Sequence, residues 1–181
     1  MNDVDPIKNL GKVRDIETYL KRTNERNYML FITGINTALR ISDLRVLRVK
    51  DVRNKKTVKL RIDKTDKYHV IQLNPKLRKI FRTYCKDKHP DDYLFQSRNG
   101  MNQPIGRGQS YNIIHEVGEM FGLDNLGTHS LRKTYGYHFY KKTNDVATLR
   151  KILGHSSPRE TLEYIQILQE GINEAMDDFS V

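Results

Sequence analysis

His129 and Arg132 stand three residues apart in Gly127-Thr128-His129-Ser130-Leu131-Arg132-Lys133-Thr134, a spacing that puts both side chains on one face of a helix. Together they offer a titratable imidazole and a fixed bidentate donor, a combination suited to a phosphate. Ser130 is expected to face away from them and Leu131 to pack inward. Four other short boxes hold chemically capable residues. Arg40, in TALRISDL (37–44), lies between a strongly apolar stretch and a helix start, where its neighbours would fix its position. Lys64 and Lys67 sit on a charged turn between two alternating segments, within reach of a DNA groove. His155 follows Gly154 in LGHSS (153–157), and Tyr164 closes TLEY (161–164), nine residues further on. Taken singly, each box has a plainer reading. Arg40 could be a helix-boundary arginine paired with Asp43, the lysines a solvated turn, HxxR a chance spacing, and Tyr164 a core tyrosine.

The elements that must position these residues are mostly helices. Residues 12–21 read as an amphipathic helix, with Val13, Ile16 and Leu20 near helical spacing. ERNYMLFITGINTAL (25–39) is apolar and long enough for a buried helix. ISDLRVLRVKDV (41–52) begins with Ser42 and an acid, which predicts a short helix capped by that serine. TVKLRID (57–63) and YHVIQLN (68–74) alternate apolar and polar residues around the turn 64–67, a β-hairpin pattern. Pro75 opens a helix over 76–87, and residues 89–108 are turn-rich around a short DYLF strand. Four helices follow, over 109–120, 130–142, 146–153 and 158–175, with Gly154 a natural helix terminator before His155. The fold class expected is α+β and mainly α-helical, a helical bundle with a small antiparallel β-sheet. With 181 residues and no internal repeat or linker, the chain reads as a single domain over 1–181. Within it, residues 1–10 form a polar lead-in and 169–181 a C-terminal tail.

Composition narrows the function classes. The formal net charge of +10 favours a polyanionic partner, with nucleic acid the usual one. No aromatic–basic run of the kind that builds a single-strand stacking platform is visible. The Lys/Arg-rich segments 45–60 and 76–88 would contact phosphates. No stretch is apolar enough to span a bilayer, so no membrane partner is expected, and the N-terminus is not expected to act as a secretory signal. The chain reads as cytoplasmic. A lone cysteine, Cys85, excludes an internal disulfide and a thiolate zinc cluster, and is expected to be a buried filler or an inert surface thiol. No phosphate loop of the GxxxxGK[ST] kind and no HExxH pair occurs. Asp91-Asp92 and Asp177-Asp178 read as solvated surface. No cofactor and no metal are therefore expected.

The order and spacing of all five boxes together resemble the tyrosine recombinase (phage integrase) family. TALRISDL looks like its first arginine box, THSLRKT like its HxLR box, and LGHSS with TLEYIQI like its final histidine and tyrosine. The resemblance spans about residues 12–170. It implies an active set of Arg40, Lys64, His129, Arg132, His155 and Tyr164. It further implies double-stranded DNA as partner, self-assembly up to a tetramer on that DNA, and DNA recombination or integration of a mobile element. Accessory proteins are not specified. Two departures stand out. Ala38 occupies a place where glycine is common, a change expected to be tolerated on a helix. The N-terminal DNA-clamping domain usual in the family is absent from this chain.

The implied chemistry fits these residue types. Strand transfer to a tyrosine passes through a five-coordinate phosphorus whose oxygens carry negative charge, and Arg40 and Arg132 could stabilise that charge from two sides. Tyr164 must shed a proton, for which His129 is the best candidate base and water the alternative. The resemblance implies Lys64 as the acid that protonates the departing 5′ oxygen, and His155 would hydrogen-bond a non-bridging oxygen. A phosphotyrosine keeps the bond energy for rejoining, so ATP is not needed. The C-terminal tail, with Ile172, Met176 and Phe179 among acids, is a candidate peg for a neighbouring subunit or a helix on its own domain. Competing readings are a non-catalytic DNA-binding relative, a type IB topoisomerase, and a basic RNA-binding or ribosome-associated protein.

Overall fold

The computed structural model describes residues 4–61 and 68–179. Lys64 and Lys67, and with them the turn 64–67, lie outside the described residues. The order is α1 (Leu10–Thr23), α2 (Glu25–Thr37), α3 (Ile41–Leu44), α4 (Val49–Val52), β1 (Thr57–Arg61), β2 (Tyr68–Gln72) and α5 (Pro75–Tyr84). After a turn-rich stretch come α6 (Arg107–Met120), α7 (Thr128–Thr143), α8 (Val146–Leu153), α9 (Pro158–Tyr164) and α10 (Ile167–Asp177).

Helices α1 and α2 begin where asparagines supply caps. The Asn9 side chain accepts from the backbone N–H of Gly11 and Lys12, and that of Asn24 from Asn27. Apolar spacing then buries Val13, Ile16 and Leu20 on α1 and most of α2. The core forms around α2, whose Leu30, Phe31 and Ile32 are essentially fully buried. Helix α7 crosses α2 closely: a Cβ on Gly34 would lie 2.5 Å from a Leu131 methyl, so only glycine fits. A smaller apolar cluster of Ala38, Tyr137, Leu149, Leu153 and Ile165 lies beside the main one.

β1 and β2 pair antiparallel, with Thr57 opposite Gln72 and Leu60 opposite His69. Val58 and Ile71 are buried, while Tyr68 and Val70 face solvent, as strand alternation requires. The hairpin is thus where the alternation puts it. So are α1, α2, α5 and α8, to within a few residues.

Four expectations need correction. Residues 41–52 do not form one helix capped by Ser42. Arg40, in extended backbone, is the N-cap of α3, its carbonyl accepting from Asp43 and Leu44 at 3.0 and 2.9 Å. Ser42 already lies in the first turn, and α4 starts separately after Arg48. Residues 158–175 divide into α9 and α10 because Gln166 takes the left-handed conformation (φ 62°) and breaks the ladder. DYLF makes one isolated bridge, Tyr93 opposite Arg48, rather than a strand. Ala38 is not helical: it is the left-handed C-cap of α2, φ 56°. That geometry explains why glycine suits the position, since a Cβ there meets steric resistance.

The lead-in is anchored to the core. Ile7 is fully buried, its N–H donates to the Thr134 hydroxyl at 2.8 Å, and its carbonyl meets His138 Nε2 at 2.8 Å. Cys85 is fully buried, and burial pushes its thiol up to about 11. Among the described residues no helix is long and apolar enough to cross a membrane.

Candidate active site

Three chain breaks deliver the chemically capable side chains to one side of α7. The left-handed turn at Ala38 ends α2 and leaves Leu39 buried and Arg40 exposed on the next residue. Gly127 precedes α7, and the Ser130 hydroxyl accepts from the Gly127 N–H at 3.1 Å, fixing the helix start. Ser130 is buried, as is Leu131, while His129 is exposed one residue earlier. Gly154, left-handed with φ 65°, ends α8 and releases His155.

Arg132 joins these pieces. It is 5% exposed, and its guanidinium donates to the backbone carbonyls of Ala38 and, at 2.5 Å, of Leu153. One side chain thus ties the Arg40 turn to the His155 turn. Among the described residues two of its five N–H donors are committed, and the others can serve an anion. Burial lowers the Arg132 pKa, the Tyr164 phenol raises it, and the neighbouring Arg40 charge lowers it.

Arg40 and His129 line one open cleft of about 500 Å³, together with Ser42, Arg107, Tyr111 and Thr128. Burial lowers the His129 pKa, and the charges of Arg132, Lys133 and Arg40 lower it further. The position at the positive end of α7 acts in the same direction. His129 is therefore held neutral and able to accept a proton.

His155 is held from beneath. The Thr161 hydroxyl donates to the Ser157 carbonyl at 3.2 Å and meets His155 Nδ1 at 3.1 Å. A proton on Nδ1 satisfies both contacts and leaves Nε2 for another partner. Burial lowers the His155 pKa, Glu160 raises it, and Arg132 and Arg40 lower it.

Tyr164 is the last residue of α9, with its ring edge-on to His155 at a centroid distance of 4.9 Å. Its hydroxyl is buried and has no hydrogen-bond partner of good geometry among the described residues. Burial pushes the phenol above its ordinary value, and the Arg132 and Arg40 charges pull it back. The Arg132 guanidinium is close enough to favour the phenolate.

The structure therefore gathers Arg40, His129, Arg132, His155 and Tyr164, while Lys64 lies outside the described residues. Sequence reasoning missed three neighbours. Thr161 opens the TLEY box, where the sequence gives it no role of its own. Lys133 lies over the Tyr164 ring, and its place next to Arg132 was the available signal. His69, on the buried side of β2, feels both Arg132 and Arg40, which with burial lower its pKa. Strand alternation gave its face but not what that face meets.

The sequence model of the phage integrase family matches residues 10–170. A protein named "Probable integrase/recombinase YoeC", from Bacillus subtilis (strain 168), is 46% identical over 167 residues, covering 92% of each chain. The chain spans about half the length of several other curated relatives it matches. Among solved structures, a XerA recombinase superposes with a TM-score of 0.74 at 20% identity, over 94% of this chain and 65% of that one. The catalytic domain of bacteriophage HP1 integrase gives 0.65 at 16% identity, over 97% and 95%. The fold is that of these catalytic domains.

Proposed function

The chain belongs to the phage integrase family, and on that premise we propose that it cuts and rejoins double-stranded DNA at specific sites through a covalent phosphotyrosine. The observation that carries the proposal is Arg132 bridging the Ala38 and Leu153 carbonyls, which ties the turn bearing Arg40 to the turn bearing His155. In the proposed step the Tyr164 oxygen attacks phosphorus and the bond from phosphorus to the 5′ oxygen breaks. The phenol proton passes to neutral His129 or to water, and Lys64 protonates the departing 5′ oxygen. Arg40 and Arg132 offset the charge on the non-bridging oxygens, and His155 holds one of them. The new ester conserves the bond energy, so the free 5′ hydroxyl of another strand can reverse the step without ATP.

Copies of the chain assemble on DNA in this reading. Its support is the exposed apolar stripe of α10 and the residues after it: Leu168, Ile172, Met176 and Phe179 recur at helical spacing and are 36–73% exposed. The same reading puts the protein in the cytoplasm with its DNA.

The test is a covalent trap on supercoiled DNA carrying the gene's flanking sequence, run in EDTA and stopped with detergent. Wild type should give a protein–DNA adduct that Tyr164→Phe abolishes. Salt-sensitive binding without an adduct would point to a non-catalytic DNA-binding relative, and neither adduct nor binding would overturn the proposal.

A further inference from the structure

We propose that Lys133 is a positioning residue for Tyr164, holding its ring and favouring its phenolate. The inference rests on the reading of Tyr164 as nucleophile. Lys133 follows Arg132 on α7 and is 5% exposed, an unusual burial for a lysine. Its ammonium lies over the Tyr164 ring, 5.2 Å from the centroid, within the range where a cation and an aromatic face attract. The opposite constraint on the ring is His155, edge-on at 4.9 Å. Deprotonation places negative charge on the phenolic ring system, so the attraction to Lys133 strengthens as the nucleophile forms. It weakens again once the oxygen is esterified to phosphorus. A fixed cation is thus matched to the reactive form and not to the product.

Other groups act on Tyr164: the charges of Arg132, from α7, and Arg40, from the turn before α3, lower its pKa, and His155, from the turn after α8, packs on its ring. Glu163 on α9 points away into an exposed pair with Arg159, and Glu160 is bound to Ser156. On the facing side of α10, Glu170 is engaged with Lys141 and Tyr137.

The experiment compares wild type, Lys133→Met, Lys133→Gln and Lys133→Arg in single-turnover adduct formation across pH. The neutral variants should move the alkaline rise of the profile up by about one pH unit, roughly tenfold slower near pH 7 and recovering at high pH. Lys133→Arg should keep the wild-type profile. An unshifted profile, a loss equal at every pH, or an arginine variant as impaired as methionine would overturn the inference. A second readout is independent of turnover. The phenolate absorbance titration of Tyr164 is isolated by subtracting Tyr164→Phe, and it should move upward in the neutral variants. It reports on Lys133 even if wild type forms no adduct, so failure of the proposed function and failure of this inference are separable.

Discussion

His155 and Tyr164 meet edge to face, ring centroids 4.9 Å apart and planes inclined at 75°. The imidazole is fixed on its other side by the Thr161 hydroxyl, three residues before the tyrosine on the same helix. The histidine and the tyrosine therefore share one support.

That support makes the first prediction. Thr161→Val keeps the shape but removes the acceptor for His155 Nδ1, leaving a buried polar group less well satisfied. The variant should lose about 1–2 kcal/mol of stability. Adduct formation should slow by more than the folded fraction explains. Urea unfolding alongside single-turnover cleavage checks it, and an unchanged rate per folded molecule would detach Thr161 from the site.

Arg132→Lys tests geometry against charge. Lysine keeps the cation but cannot reach the Ala38 and Leu153 carbonyls and an anion together. Cleavage should fall by about 10²–10³, with DNA binding less affected. Near-normal turnover would show that charge suffices.

The pH dependence of folding follows from three histidines. His69, His129 and His155 all have lowered pKa values, chiefly from burial and then from nearby charge. The folded state therefore binds fewer protons than the unfolded chain, whose histidines titrate near 6.5. This contribution is whole above about pH 6.5 and is lost as pH falls below it. The melting temperature should decline from pH 7 to 5, and replacing the three with asparagine should remove much of that slope. A slope that persists unchanged would assign it to carboxylates.

Ala38 offers a test of backbone shape. Valine in a left-handed, buried position should cost about 1–3 kcal/mol, readable in urea midpoints, and should slow cleavage by displacing the Arg132 anchor. For Ala38→Gly, relief of the Cβ penalty and loss of a buried methyl oppose one another, so the change should stay within about 1 kcal/mol.

The sequence carried much of this. Alternation at 57–61 and 68–72 identified the hairpin, and apolar spacing identified α1 and α2, because one-face burial leaves a period. Of the six residues the boxes named, the fold gathers five, and Lys64 lies outside the described residues. Illegible were the events decided by single backbone torsions: the left-handed turns at Ala38 and Gln166, neither of which is glycine. Tertiary neighbours such as Lys133 over Tyr164 were equally hidden, since adjacency in sequence does not say what lies across a helix.

The two anchors of Arg132 are main-chain carbonyls, which every residue type possesses. No substitution at position 38 or 153 can delete them; it can only bend the path that presents them. Drift at those two positions is therefore filtered by shape alone, whereas position 132 is filtered by identity. A library randomised at all three should recover many small or apolar solutions at the first two and arginine at the third.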